Sequence, residues 1–258
     1  MKTEVLFLGT GAFDYSPKLK EEFKDKFDKN ARRSSAVLLN ERILIDCGDH
    51  CMEEFFISGK DMTQVTDVFV THLHRDHFNV QHIEALSKGK IKPLRLWVRS
   101  DATIPEINNV EVVRMKVSQM YEVESEINVT GLNANHDQNV CPQHLLFNVK
   151  GKKLLYACDG AWLMTDTYNY LNNIHLDFYV IDATCGESLG DYRIASHNSL
   201  PMIRMMLPSL KTAGIIDEQT TIYLSHIAPS LHKSHDEIEK TVEGDGLKVA
   251  YDGLQIWV

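Results

Sequence analysis

The segment Thr71-His72-Leu73-His74-Arg75-Asp76-His77 puts four side chains able to bind a metal into six residues. Imidazole suits zinc, manganese and iron, and a carboxylate suits harder cations. The segment follows an apolar strand expected at 68–71, so it forms the loop that leaves that strand. Residues two apart on an extended chain share a face, so His72 and His74 can point the same way. Asp76 and His77 then serve a second position a few residues on. One cation cannot easily take all four from so short a loop, which makes two divalent metal ions, zinc or manganese, the natural expectation. The competing reading is a chance cluster on a solvated turn. Four such residues directly after a strand disfavour it.

Further ligands have to come from other elements. His136 follows a strand expected at 127–132, Asp159 follows one at 154–157, and His226 follows one at 220–224. A shared sheet end would bring all three to the first loop. The other apolar runs read as strands at 5–8, 94–98, 110–114, 121–123 and 178–182. Hairpins are expected at 35–46 over Asn40-Glu41, at 144–157 over Lys150-Gly151-Lys152, and at 248–257 over Asp252-Gly253. Helices are expected at 49–58 with Asp49 as its cap, and at 80–87, 165–174, 199–210 and 234–242. Leu19, Phe23 and Phe27 give the charged stretch 14–33 one apolar helical stripe, read as a solvated helix packed on that stripe. A lid or dimer contact is the sharper alternative. No Pro-, Gly- or Ser-rich linker divides the chain, so the expectation is one α/β domain over 1–258 with mixed sheets.

The chain has 258 residues, 43% hydrophobic and 24% charged, enough for a core without staples. Its 27 basic and 36 acidic residues give a net charge of −9, which disfavours a polynucleotide partner held by many phosphate contacts. A small anion remains compatible, because cations in a site can oppose the global sign. No apolar run approaches a membrane span, and 5–8 is too short for a signal sequence. The five cysteines (Cys47, Cys51, Cys141, Cys158, Cys185) are scattered, with no C-x-x-C pair. A reducing cytoplasm is the simplest compartment.

His72-Leu73-His74-Arg75-Asp76-His77 resembles the HxHxDH signature of the metallo-β-lactamase superfamily. The resemblance runs from Gly9-Thr10-Gly11 to Tyr251-Asp252-Gly253-Leu254. It implies a four-layer αββα sandwich with a dinuclear metal site at one sheet edge. By motif, it implies that His72, His74 and His136 hold one metal, that Asp76, His77 and His226 hold the other, and that Asp159 bridges them. Asp46, in Ile45-Asp46-Cys47-Gly48, resembles the carboxylate that braces the ligand loop from behind.

Asn135-His136-Asp137 and Tyr156-Ala157-Cys158-Asp159 are similar to the phosphodiesterase and ribonuclease Z branch. Asp182-Ala183-Thr184-Cys185-Gly186 and Ser196-His197-Asn198-Ser199-Leu200 resemble the cyclic phosphodiesterases of phosphonate utilisation. That likeness implies His197 as general acid; Asp76, besides binding metal, is a candidate to orient the nucleophile. The Cys-rich structural zinc site of that group has no counterpart at 14–33, so its specific substrate is not carried over. The implied activity is attack on a small or cyclic phosphodiester by a water acidified between two cations. Arg32 or Arg33 could grip a phosphate, and solvated positive charge is the plainer reading of both. His50, His232 and Trp162 are further pocket candidates. The alternatives are a lactone or thioester hydrolase, and a non-hydrolytic cofactor-biosynthesis protein on the same scaffold. The sequence permits a homodimer.

Overall fold

Strands β1 (Glu4–Gly9), β2 (Ala36–Leu39) and β3 (Ile43–Ile45) are buried at every residue. Such runs, apolar without alternation, need cover on both faces. Asn40 and Glu41 both take left-handed backbone (φ 46° and 60°) and turn β2 back on β3 with the twist a hairpin needs. A computed structural model describes residues 2–258. After β3 come helix α2 (Cys51–Ser58), β4 (Asp67–Phe69), α3 (Val80–Ser87), β5 (Leu94–Arg99), β6 (Val110–Met115), β7 (Met120–Glu124) and β8 (Ile127–Asn133). The second half holds β9 (Gln143–Val149), β10 (Lys152–Ala157), α4 (Thr165–Leu171), β11 (Phe178–Asp182), α5 (Leu200–Thr212), β12 (Thr221–Ser225), α6 (His235–Thr241), β13 (Leu247–Val249) and β14 (Gln255–Trp257). Helix α1 (Pro17–Phe23) lies between β1 and β2.

The strands form two seven-stranded sheets, ordered β14-β1-β2-β3-β4-β5-β6 and β13-β12-β11-β10-β9-β8-β7. Each is antiparallel along one half and parallel along the other. The parallel runs are β3 to β6 and β10 to β13. Phe7, Val37, Ile45 and Phe69 of the first sheet share a core with Val129, Phe147, Tyr156 and Tyr223 of the second. Helices α2 and α3 cover the outer face of the first sheet through Cys51, Phe55, Ile83 and Leu86. Leu171 of α4, Leu200, Ile203 and Leu210 of α5 and Ile238 of α6 cover the outer face of the second. This is the αββα sandwich with mixed sheets. Among the described residues, no helix is long and apolar enough to cross a membrane.

Three local expectations fail. Segments 248–251 and 254–257 do not pair as a hairpin: β13 runs parallel to β12 in one sheet, and β14 runs antiparallel to β1 in the other. The turn between them carries the chain from sheet to sheet because buried Asp252 anchors it, accepting from Thr10 Oγ1 (2.7 Å) and the Arg33 amide (2.9 Å). Asp49 does not cap α2. His50 holds that position without a capping bond, while Asp49 binds Arg75 Nε and Asn79 Nδ2. The helix in 14–33 stops at Phe23, which alone of that helix is buried. Phe27 lies beyond it and packs against Gly253, where any Cβ would come within 2.7 Å of its ring.

Candidate metal centre

The parallel halves of both sheets present their carboxyl ends to one cleft, where open α/β sheets place their sites. Asp46 directly follows β3, and Thr71 and His72 follow β4. Asp159 follows β10, Asp182 ends β11, and His226 follows β12. His136 comes from the loop after β8. Asp46, Asp159 and His226 all take left-handed backbone, with φ of 63°, 64° and 56°. Non-glycine residues adopt it at a cost of about 1–3 kcal/mol each, and such strain collects where side chains must be aimed. Gly48 lets the ligand loop close down. A Cβ there would lie 1.7 Å from the Asp76 carbonyl oxygen.

The side chains converge in three overlapping groups that share the Asp159 carboxylate, two of them built from the expected ligands and the third from Asp159, Asp182, His197 and His226. His72, His74, His136 and Asp159 can each turn one ligand atom into a common space within 4.8 Å, as can Asp76, His77, Asp159 and His226. In the first group His72 Nε2 lies 2.9 Å from His74 Nδ1 and 3.1 Å from Asp159 Oδ2, and His136 Nε2 lies 3.2 Å from His74 Nδ1. In the second, His77 Nε2 lies 3.3 Å from His226 Nε2, from Asp76 Oδ2 and from Asp159 Oδ2. His226 Nε2 is 3.4 Å from the same Asp159 oxygen. Four ligand atoms at about 2.0–2.1 Å from a tetrahedral zinc ion stand roughly 3.3 Å apart. These spacings of 2.9–3.4 Å lie near that edge, with His226 Nε2 and Asp76 Oδ2 wider at 3.9 Å, and the donors are the imidazole and carboxylate that zinc accepts. The other Asp159 oxygen, Oδ1, is buried and makes no hydrogen bond of good geometry, although His197 Nδ1 lies 2.9 Å away. The residues present therefore fit a pair of divalent cations.

The opposite nitrogen of most of these rings is held from behind, which fixes which nitrogen faces the cleft. Asp46 Oδ2 lies 2.7 Å from His77 Nδ1. Thr71 Oγ1 lies 3.1 Å from His72 Nδ1 and donates to Asp46. Ser196 carbonyl takes His136 Nδ1 at 3.2 Å, and Thr184 Oγ1 meets His226 Nδ1 at 2.8 Å. Burial and the neighbouring His77 charge press the His72 pKa down to about 3. Burial pushes the Asp76 carboxyl up, but His77 and His226 outweigh it and hold it well below the usual carboxylate range. Burial also opposes charge on His197, yet Asp159 and Asp182 overcome it and raise that pKa to about 11.

The seven residues expected as metal ligands, and Asp46 behind them, gather at this cleft. His197 joins it with Nδ1 2.9 Å from Asp182 Oδ2. Asp182 ends an apolar strand, and nothing in the local sequence assigns it a role. It is fully buried, and its oxygens are filled by the amides of Thr184, Asn198 and Gly160, the Thr184 hydroxyl and His197. Donors on both oxygens make it a brace rather than a cation ligand. The cluster lines a cavity of about 440 Å³ whose wall includes Phe13, Asp14, Arg75, Tyr192 and Arg193. Phe13 and Tyr192 are 70% and 85% exposed.

Five other candidates lie elsewhere. Arg32 and Arg33 neither grip this cavity nor reach solvent. Arg32 is buried against Thr10 Oγ1, the Ala250 carbonyl and His235 Nδ1, and Arg33 is buried against Glu53 and Asp252. Trp162 lies in a smaller cavity with Leu163, Tyr168 and Met206, because the chain turns into α4 away from the cleft. His50 meets Ser34 Oγ at 2.8 Å and packs edge-on to Tyr15. His232 donates to the Ala183 carbonyl (2.7 Å) and faces a separate cavity beside α6.

The chain has the metallo-β-lactamase fold. It superposes on the metallo-β-lactamase fold protein YhfI from Bacillus subtilis with a TM-score of 0.74, covering 100% of both chains at 14% identity. A diphosphatase from the PhnP family aligns with a TM-score of 0.73 at 17% identity, over 98% of this chain and 97% of that one. The model of a family described as "Anti-Pycsar protein Apyc1" matches residues 4–87. Zinc phosphodiesterase ELAC protein 1 from Mus musculus is 37% identical over 81 residues, 30% of this chain and 19% of that protein. Ribonuclease Z from Pyrococcus abyssi is 27% identical over 121 residues, 46% of this chain and 34% of that protein. The chain thus spans about a fifth and a third of the length of these two relatives. The expectation that a polynucleotide is disfavoured finds no support in these likenesses, since one relative is named for a ribonuclease.

Proposed function

We propose that the chain is a metal-dependent hydrolase that cleaves small or cyclic phosphodiesters with two divalent cations, zinc or manganese. The convergence of two ligand groups on Asp159 Oδ2, on the wall of a cavity of about 440 Å³, carries this reading. His72, His74 and His136 would hold one cation, Asp76, His77 and His226 the other, and Asp159 would serve both. When bound, the pair supplies Lewis acidity for the phosphoryl oxygens and an acidified water for attack.

The remaining chemistry falls to the chain's own groups. His197 has Nδ1 engaged by Asp182, which leaves Nε2 to carry a proton to the departing alkoxide oxygen. Asp76 turns one oxygen toward the second group and can orient the attacking water. Phe13 and Tyr192 offer apolar surface for the rest of the substrate. Arg193 is tied to Asp191 by two bonds of 2.8–2.9 Å, which fixes its guanidinium on the cavity wall. The printed names of the relatives, a zinc phosphodiesterase and a ribonuclease, support a phosphodiester over a lactone or thioester. We read residues 1–258 as one domain, supported by the core shared between the sheets. The five cysteines, all unpaired, support a reducing cytoplasm.

Zinc- or manganese-loaded protein should hydrolyse bis-p-nitrophenyl phosphate, and Asp159→Ala should abolish the activity. Hydrolysis surviving Asp159→Ala would remove the shared ligand from the scheme. Turnover of lactones or thioesters with no turnover of any phosphodiester would replace the proposed substrate class.

A further inference from the structure

We propose that Thr184 is a positioning residue. Its hydroxyl holds His226 in the tautomer that turns Nε2 to the cleft, and links that ring through Asp182 to His197. Thr184 follows the end of β11 by two residues and is buried. Its Oγ1 lies 2.8 Å from His226 Nδ1, 2.9 Å from the His226 carbonyl oxygen, 3.1 Å from Asp182 Oδ2 and 3.2 Å from His197 Nδ1. A hydroxyl has one proton to give and lone pairs to receive with. The carboxylate and the carbonyl can only accept. The hydroxyl therefore donates to one of them and accepts from the imidazole N–H at 2.8 Å. That puts the neutral ring's proton on His226 Nδ1 and leaves a lone pair on Nε2. Nε2 is the nitrogen that faces His77 and Asp159 at 3.3 and 3.4 Å.

The same contact steadies the backbone. His226 sits at φ 56°, and its carbonyl lies within reach of the Thr184 hydroxyl. Asp182 Oδ2 also receives His197 Nδ1 at 2.9 Å. One carboxylate and one hydroxyl thus fix a ring of the second ligand group and the ring proposed as acid. The first sheet repeats the device. Thr71 Oγ1 lies 2.9 Å from both oxygens of Asp46 and 3.1 Å from His72 Nδ1, and Asp46 takes His77 Nδ1. Two Asp–Thr pairs, one from each sheet, therefore hold the histidines from opposite sides of the cleft.

This inference rests on the two-cation reading, and its test separates the two. Nitrogen-15 spectra of the metal-free wild-type protein at alkaline pH should show the His226 proton on Nδ1; a proton on Nε2 would overturn the brace, whatever the protein binds. In zinc titrations the near-isosteric Thr184→Val should weaken one of two equivalents by about 10–100-fold and leave the other unchanged. Thr184→Ser, which keeps the hydroxyl, should retain both. A Thr184→Val protein with a wild-type near-ultraviolet spectrum that binds both equivalents with wild-type affinity would refute the role. A wild-type protein that binds no zinc would refute the two-cation reading instead, while the tautomer measurement still decides the brace.

Discussion

His144→Leu should flatten the acid side of the stability profile. His144 lies on β9 with both ring nitrogens buried and without hydrogen-bond partners. A Cβ on Gly160 would come within 2.8 Å of its ring, so little space surrounds it. Burial presses its pKa down to about 4, against 6.5 for the free side chain, while Asp182 and Asp159 pull weakly the other way. Between these values the unfolded chain binds a proton that the folded chain refuses. The stabilisation is complete above pH 6.5 and is lost as pH falls through the window from 6.5 to 4. At about 1.36 kcal/mol per pH unit, this one side chain costs the folded state about 2 kcal/mol on going from neutral pH to pH 5. Leucine has a similar volume and no proton to bind, and the ring it replaces makes no hydrogen bond. Any change in packing is common to both pH values and cancels. Urea unfolding of both proteins at pH 7.5 and pH 5 measures the difference. The wild type should lose about 2 kcal/mol more than the variant over that interval. Equal losses would show that His144 is not held neutral by burial.

Three other outcomes follow from the site. His197→Ala should slow phosphodiesters with poor alkoxide leaving groups far more than those with p-nitrophenolate, because only the former need a proton on departure. Equal slowing across a leaving-group series would remove the acid role. Gly48→Ala should destabilise the fold by about 1–3 kcal/mol and weaken zinc binding, since its methyl cannot coexist with the Asp76 carbonyl at 1.7 Å. Thermal unfolding and zinc titration check both effects, and an unchanged variant would mean that the loop has room to withdraw. Asp182→Asn should lower the pKa of His197 by removing a carboxylate 2.9 Å away, read by proton NMR titration of that ring. An unmoved titration would show that Asp182 does not set its charge.

The metal-ligating segment was legible because its chemistry is local. Six residues after a strand carry four ligands, and nothing else need be known to suspect a cation. His136, Asp159 and His226 were legible for a different reason. Each follows an apolar run, and β8, β10 and β12 all point the same way in one sheet, so their carboxyl ends meet at one edge. Asp182 and Thr184 were visible as residues but not as parts of the site, because their role lies in hydrogen bonds to His197 and His226, 15 and 42 residues away in sequence. Arg32 and Arg33 misled for the same reason. Arginines in a charged stretch read as solvated, yet Asp252 and Ala250, more than 200 residues on, fold over them. The supposed hairpin at 248–257 shows the limit of turn chemistry. Asp252-Gly253 turns the chain as expected, but the partners of β13 and β14 are set by β12 and β1, which the local sequence does not encode.

Metal content tests most directly the proposal that two divalent cations share Asp159 in the cleft. Protein supplemented with zinc or manganese and then freed of excess ion should carry close to two ions per chain by mass spectrometry of the metal. Asp159→Ala should carry clearly fewer. Wild-type protein that retains fewer than one ion per chain after supplementation would contradict the account.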